Sequence, residues 1–116
     1  MASSPMNAKP ALSREEVEIL VAAADMGEIQ IHSADQLGRW VRAWAIDFLL
    51  VSDPSVAVAY REALDALLRR QLVKHEGGNR YLLTSRGFKI ARGISSSEEG
   101  EKIIKDLNAK FKQPEK

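Results

Sequence analysis

The sequence predicts an α+β fold, helices packed on a small sheet, on three observations. Ser13 and Glu16 stand at capping-box spacing just ahead of an apolar stripe of period 3.6. Asp53-Pro54 opens a second and longer stripe of the same period. On either side of Gly77-Gly78 the period drops to two, the mark of a β-hairpin. With 116 residues and 12.9 kDa the chain has room for one compact domain and a terminal extension.

Met1–Leu12 holds Ser3, Ser4, Pro5 and Pro10 and little to bury, so residues 1–12 are expected to form a disordered leader. At Ser13 the hydroxyl can accept the Glu16 amide proton while the Glu16 carboxylate returns to the Ser13 amide. Val17, Leu20, Val21 and Ala24 continue as one buried stripe, and Gly27 marks the stop. Glu28–His32 alternates, which predicts a short strand with Ile29 and Ile31 on one face, and Ser33 and Asp35 offer caps for another helix.

Over Gln36–Val51 two periods compete. Leu37, Trp40, Val41, Trp44, Phe48 and Val51 share one side of a helical wheel, while Ile46, Leu49 and Leu50 fall off it. A strand would align Trp40, Trp44, Ile46, Phe48 and Leu50, with Arg42 the exception. The helical reading is preferred.

Pro54 after a capping Asp53 predicts a helix to about Arg70 that buries Ala57, Tyr60, Leu64, Leu67, Leu68 and Gln71. Leu72–His75 and Asn79–Thr84 then pair as a hairpin with Tyr81 and Leu83 inward. Thr84 or Ser85 caps a short helix over Gly87–Arg92, with Phe88 and Ile90 packing back. Ser95–Ser97 and Gly100 look like a linker, yet Ser96 and Glu99 repeat the capping-box spacing. Ile103, Ile104, Leu107 and Phe111 mark a last amphipathic helix, too short to hold itself in water without a docking surface. That surface is either the chain's own domain or a second copy, and the expectation taken is a homodimer through these four residues. The expected division is a leader over 1–12, a domain over 13–93, and a linker with the amphipathic helix over 94–116.

The helix ending Ala63-Leu64-Asp65-Ala66-Leu67-Leu68-Arg69-Arg70-Gln71-Leu72-Val73, the Gly-containing hairpin, and Tyr81-Leu82-Leu83-Thr84-Ser85-Arg86-Gly87 together resemble the winged-helix (winged helix-turn-helix) family. In that family a helix enters the hairpin through a leucine-hydrophobic step, and the hairpin leaves through a Leu-Thr-x-x-Gly turn. The resemblance runs over Pro54–Arg92 and extends to Ser13–Arg92. More narrowly, Leu37-Gly38-Arg39-Trp40 and Phe48 through Asp53-Pro54 resemble uncharacterised bacterial winged-helix-like modules, a likeness that makes Trp40–Leu50 extended. The resemblance implies a winged-helix-like domain whose long helix is a recognition helix with the hairpin wing beside it.

Fold is not function, so the residues are asked directly. Net charge is +1 overall but uneven, at −3 over residues 1–51, +4 over 52–92 and zero over 93–116. Solvated helix faces account for such patches as readily as a basic contact surface does. The outward face of the long helix presents Val58, Ala59, Glu62, Asp65, Ala66 and Arg69, with Arg61 and Arg70 on the flanks, and is poor in the bases that phosphate contact needs. The hairpin is richer, with Lys74, His75, Arg80, Arg86 and Lys89. The expected function is a small non-catalytic, regulatory DNA-binding protein that contacts double-stranded DNA through Arg61, Arg69, Lys74, His75, Arg80 and Arg86. The alternative is a protein–protein interaction module, an adaptor or inhibitor with no nucleic-acid binding, using Trp40, Trp44, Val58, Glu62 and Asp65.

Other chemistry finds little footing. With no cysteine there is no disulfide, thiolate metal site or cysteine nucleophile. His32 and Asp35 lack a third metal ligand, His75 lacks a partner for general-base work, and Ser95–Ser97 has no adjacent base. Gly77-Gly78 lacks the Lys-Ser/Thr of a phosphate loop. No enzyme activity, metal or cofactor is expected. Trp40–Val51 is about half the ~20 residues a spanning helix needs, and Met1–Pro5 lacks the features of a signal, so a cytoplasmic protein without membrane contact is expected.

Overall fold

The computed structural model describes residues 11–111, so most of the leader expected over 1–12, and residues 112–116 at the other end, lie outside it. Ser13 caps α1 (Arg14–Ala23) as its spacing predicts: its Oγ accepts the Glu16 amide at 3.1 Å and its own amide donates to Glu16 Oε1 at 2.7 Å. Gly27 closes the helix end, its amide donating to the Ala23 carbonyl.

The chain then enters a three-stranded meander, β1 (Glu28–Ala34), β2 (Gly38–Ala43) and β3 (Ile46–Phe48). The helix preferred over Gln36–Val51 is therefore a β-hairpin preceded by a turn, and Ser33 and Asp35 cap nothing. Ser33 lies in β1 and Asp35 in the β1–β2 turn. The physical reason is a change of phase. Ala43 pairs with Ile46 across the two-residue turn Trp44-Ala45. Val41 and Ala43 before the turn, and Ile46 and Phe48 after it, thereby reach the same buried face. Each arm alternates, but no single period spans both.

Asp53 caps α2 (Pro54–Arg69), accepting from the Ser55 amide, and Pro54 occupies the first turn where no amide donor is required. Ala57, Tyr60, Leu64 and Leu67 of the expected stripe are buried. Gln71 is not: it is exposed at φ +64°, a left-handed residue ending the helix. β4 (Val73–Gly77) and β5 (Arg80–Leu83) form the predicted hairpin, with a register shift between His75 and Gly77. The five strands form one antiparallel sheet in the order β3-β2-β1-β5-β4.

Thr84 joins the hairpin to α3 (Ser85–Ser95). Its Oγ1 donates to the Gln71 carbonyl at 2.9 Å and accepts the Gly87 amide at 3.0 Å. A Cβ on Gly87 would stand 2.0 Å from the Leu72 carbonyl oxygen, so this Leu-Thr-x-x-Gly turn needs glycine for close backbone approach.

α3 runs on through Gly93, and Ser95–Ser97 is a tight corner and not a flexible linker. Ser97, not Ser96, caps α4 (Glu98–Lys110) by accepting the Gly100 amide at 3.1 Å. α4 packs on α1 and α3. Ile103, Leu107 and Phe111 are buried in the same core as α1 and the sheet, and half-buried Ile104 packs against it. Residues 94–111 thus belong to the domain. The stripe assigned to dimerisation is covered within one chain, because Phe111 reaches the Phe48 and Tyr60 rings at centroid distances of 5.3 and 5.7 Å.

Over the described residues the fold is a mixed α+β, two-layer arrangement of four helices and five strands. Ile29, Ile31, Val41, Ala43, Ile46, Phe48, Val73 and Leu83 are buried on the helix-covered face of the sheet. The other face carries Glu28, Gln30, His32, Trp40, Arg42, Asp47, Arg80 and Leu82, none of them buried.

Candidate functional site

The β4–β5 hairpin turns through Gly77 and Gly78, both at positive φ. Strand alternation then separates its basic groups. Lys74 pairs with Leu82 and so shares the open face with Arg80, whose Nε donates to Glu28 Oε2 at 2.9 Å. His75 lies on the opposite face, its ring stacked on Tyr81 at 4.6 Å and its Nε2 2.7 Å from the Gly78 carbonyl oxygen. Arg86 sits at the root of the hairpin and donates to the Arg70 carbonyl at 3.2 Å. Arg69 is exposed at the end of α2. Arg61, just over two turns earlier, is half-buried with its Nε enclosed. The six residues expected to touch DNA are not brought onto one face.

The residues of the protein-contact reading divide as well. Trp40 is half-buried on the open sheet face, its Nε1 donating to Asp47 Oδ1 at 3.0 Å and its ring 6.1 Å from His32. Trp44 is 54% exposed at the tip of the β2–β3 hairpin and has φ +57°. Glu62, Asp65 and Val58, the last 42% exposed, lie on the outward side of α2.

A chain of polar contacts that sequence reasoning missed crosses the open sheet face. Arg80 and the Gln30 amide both donate to Glu28 Oε2, and His32 Nε2 lies 2.8 Å from Gln30 Oε1. A carboxamide oxygen only accepts, so Nε2 is the donor in this contact. Beyond the stacked Trp40, Asp47 accepts from Trp40 and, at 2.8 Å, from Arg42. The Glu28 carboxyl is held below its ordinary range, first by the Gln30 hydrogen bond, against opposing desolvation, and then by Arg80. Two of the basic side chains on this face, Arg42 and Arg80, are therefore already paired. The signal was present as alternation of Glu28, Gln30 and His32, but their partners lie on other strands.

α1 buries two carboxylates, Glu16 and Glu18, a second pattern the sequence did not disclose. Glu16 accepts from Arg70 at 2.7 Å, and Glu18 accepts from Arg14 at 2.7 Å and from the Tyr60 hydroxyl. Burial is the largest influence on Glu16 and raises its pKa. The Arg70 and Ser13 hydrogen bonds outweigh it, so the carboxyl sits below its ordinary value. Burial first, and the Glu18 carboxylate second, push the Tyr60 hydroxyl well above its ordinary value. These groups are matched donor to acceptor and hold α1, α2 and α4 together. Arg14 also approaches Asp106 of α4 at 3.9 Å.

Among the described residues no cluster of His, Asp and Glu could hold a metal ion, and no helix is long and apolar enough to cross a membrane. No family model, curated protein or solved structure matches the chain.

Proposed function

We propose that this chain is a non-catalytic, winged-helix-like module that docks a protein partner, with Trp44 as the anchor. The observation that carries this reading is the state of that one side chain. The first central residue of a two-residue hairpin with positive φ is ordinarily glycine, and a bulky residue there is strained. Here the strained position holds an indole that is 54% exposed. Positive φ costs backbone strain and exposed indole surface costs solubility, whereas a rigid aromatic at an exposed hairpin tip is the kind of group that dominates protein interfaces. The acidic outward face of α2, with Glu62 and Asp65, supports a protein surface over a phosphate backbone.

The DNA-binding reading retains one supporting observation: Lys74 and Arg69 are exposed and make no ion pair among the described residues. One experiment separates the two. The full-length chain and its Trp44→Gly and Lys74→Ala/Arg80→Ala variants are used to capture material from the native host, and protein and nucleic acid are both quantified. Proteins held by the wild type and the Lys74/Arg80 variant, but lost with Trp44→Gly, sustain the docking reading. Salt-sensitive binding to mixed duplexes that only the Lys74/Arg80 variant loses replaces it with the DNA reading.

A further inference from the structure

Between α2 and the strands β1, β2 and β5 lies a cleft of about 140 Å³, lined by Ile31, Arg39, Arg61, Leu64, Asp65 and Tyr81. Ile31 and Leu64 are buried and give it an apolar floor. The polar lining comes from three elements: Arg61 and Asp65 one turn apart on α2, Arg39 from β2 and Tyr81 from β5. Arg39 and Asp65 are exposed at its mouth, while Arg61 and Tyr81 are half-buried. An enclosed polar atom is normally paired, and here one is not. The Arg61 Nε is enclosed without a hydrogen-bond partner, and none of Arg39, Arg61 and Asp65 joins an ion pair among the described residues. Arg61 and Asp65 are spaced to pair along the helix and do not.

We propose that this cleft binds inorganic phosphate in a protonated form. Two guanidinium groups and a phenol provide donors for an oxyanion, with the fork geometry that suits a tetrahedral anion. Asp65 provides the opposite, an acceptor that needs a donor from the ligand. Inorganic phosphate carries a P–O–H at neutral pH and satisfies both: its unprotonated oxygens accept from Arg39, Arg61 and Tyr81, and its hydroxyl donates to Asp65. Sulfate, fully ionised, would set a bare oxygen against the Asp65 carboxylate. A phosphate monoester loses its last proton with a pKa near 6 and meets the same repulsion at pH 7. The volume suits one such anion and a water or two, at about 30 Å³ per water, and is too small for a nucleoside. This assignment does not depend on Trp44, which lies at the β2–β3 tip and does not line the cleft.

The test tracks the Arg Nε–Hε resonances of the full-length ¹⁵N-labelled chain while inorganic phosphate, sulfate or methyl phosphate is added at pH 7 and constant ionic strength. The expected result is a saturating shift of the Arg61 resonance with inorganic phosphate and binding of the other two anions at least about tenfold weaker. Asp65→Asn should remove most of that preference, and Arg61→Met should abolish the phosphate-dependent shift of the Arg39 resonance. Should Arg61→Met unfold, Arg39→Gln, at the exposed start of β2, must still weaken phosphate binding in a folded chain. An Arg61 resonance unmoved by phosphate overturns the proposal. So does an equal response to phosphate and sulfate, or a preference that survives Asp65→Asn.

Discussion

The sheet carries a hairpin toward each edge, β2–β3 on one side and β4–β5 on the other, and the two solve the same problem with different residues. The β4–β5 hairpin turns on Gly77-Gly78, which takes positive φ without steric cost, and its arms are mostly solvent-exposed. The β2–β3 hairpin turns on Trp44-Ala45 and puts an indole where glycine belongs, yet its arms bury Val41, Ala43, Ile46 and Phe48 completely or nearly so. Burial holds the second turn in place where local preference does not. A strained tip on a heavily buried hairpin is tolerated, whereas the same tip on the exposed β4–β5 hairpin has little burial to hold it.

That comparison is broken most forcefully from the core side. Phe48 has no exposed surface and stacks on Tyr60 at 4.6 Å. Phe48→Ala should cost about 3–5 kcal/mol in urea denaturation, and Leu82→Ala on the open face of β5 about 1 kcal/mol or less. Comparable losses at both positions would mean that the two hairpins are equally anchored.

The β4–β5 hairpin is anchored at its root, and there a smaller effect is expected. Gly87→Ala drives a Cβ onto the Leu72 carbonyl and should destabilise by about 1–3 kcal/mol, with the midpoint shifted and the denaturant slope unchanged. Glycine-to-alanine at Gly93, where a Cβ meets nothing within 4 Å and the backbone is helical, serves as the control and should be neutral or stabilising.

Between the two hairpins, α1 and α2 are tied by the Glu16–Arg70 pair, and pH reads that tie directly. Because the Glu16 carboxyl is lowered from 4.5 in the folded chain, its contribution is fully present above that value and is lost as pH falls through the lower folded value. Unfolding free energies of the wild type and Arg70→Gln, from urea titrations at a series of pH values, should therefore differ most above about pH 5 and draw together as pH falls below the ordinary carboxylate value. Tyr60 predicts the opposite edge. Its raised hydroxyl pKa adds stability below about pH 10 that declines above it, and Tyr60→Phe should flatten the alkaline limb.

The smallest effect carries the functional weight. Trp44→Gly relieves positive φ at an exposed site and should leave stability unchanged or raise it by about 1 kcal/mol, measured by thermal and urea unfolding. Loss of partner binding together with unchanged or raised stability would sharpen the contrast between a hairpin shaped for its fold and one shaped for contact.

Elements whose instructions are local were legible in the amino-acid sequence. The Ser13 capping box, the Asp53-Pro54 helix start, the Gly77-Gly78 turn and the apolar stripe of α4 each lie within a few residues of the structure they specify, and each appears as predicted. Phase and partnership were not legible. The β2–β3 hairpin escaped because alternation restarts at Trp44 and no turn residue announces it, so the apolar positions on both sides also lie on a helical wheel. Gln71 fell on the buried side of a wheel that the chain leaves one residue earlier. The destination of α4 was open because an amphipathic stripe records only that something covers it. The tight corner at Ser95–Ser97, against which Gly100 packs so closely that a Cβ would lie 2.1 Å from the Ile94 carbonyl oxygen, turns α4 back onto α1. The candidate sites depended still more on the fold. Arg39 and Arg61 are 22 residues apart in the chain and line one cleft, while Lys74 and His75 are adjacent and face opposite sides of the sheet. Local hydrogen bonding and side-chain sterics act over a few residues, so sequence alone settled caps, turns and periods. Which polar groups meet depends on strand pairing and helix docking between distant segments, and only the tertiary structure could decide that.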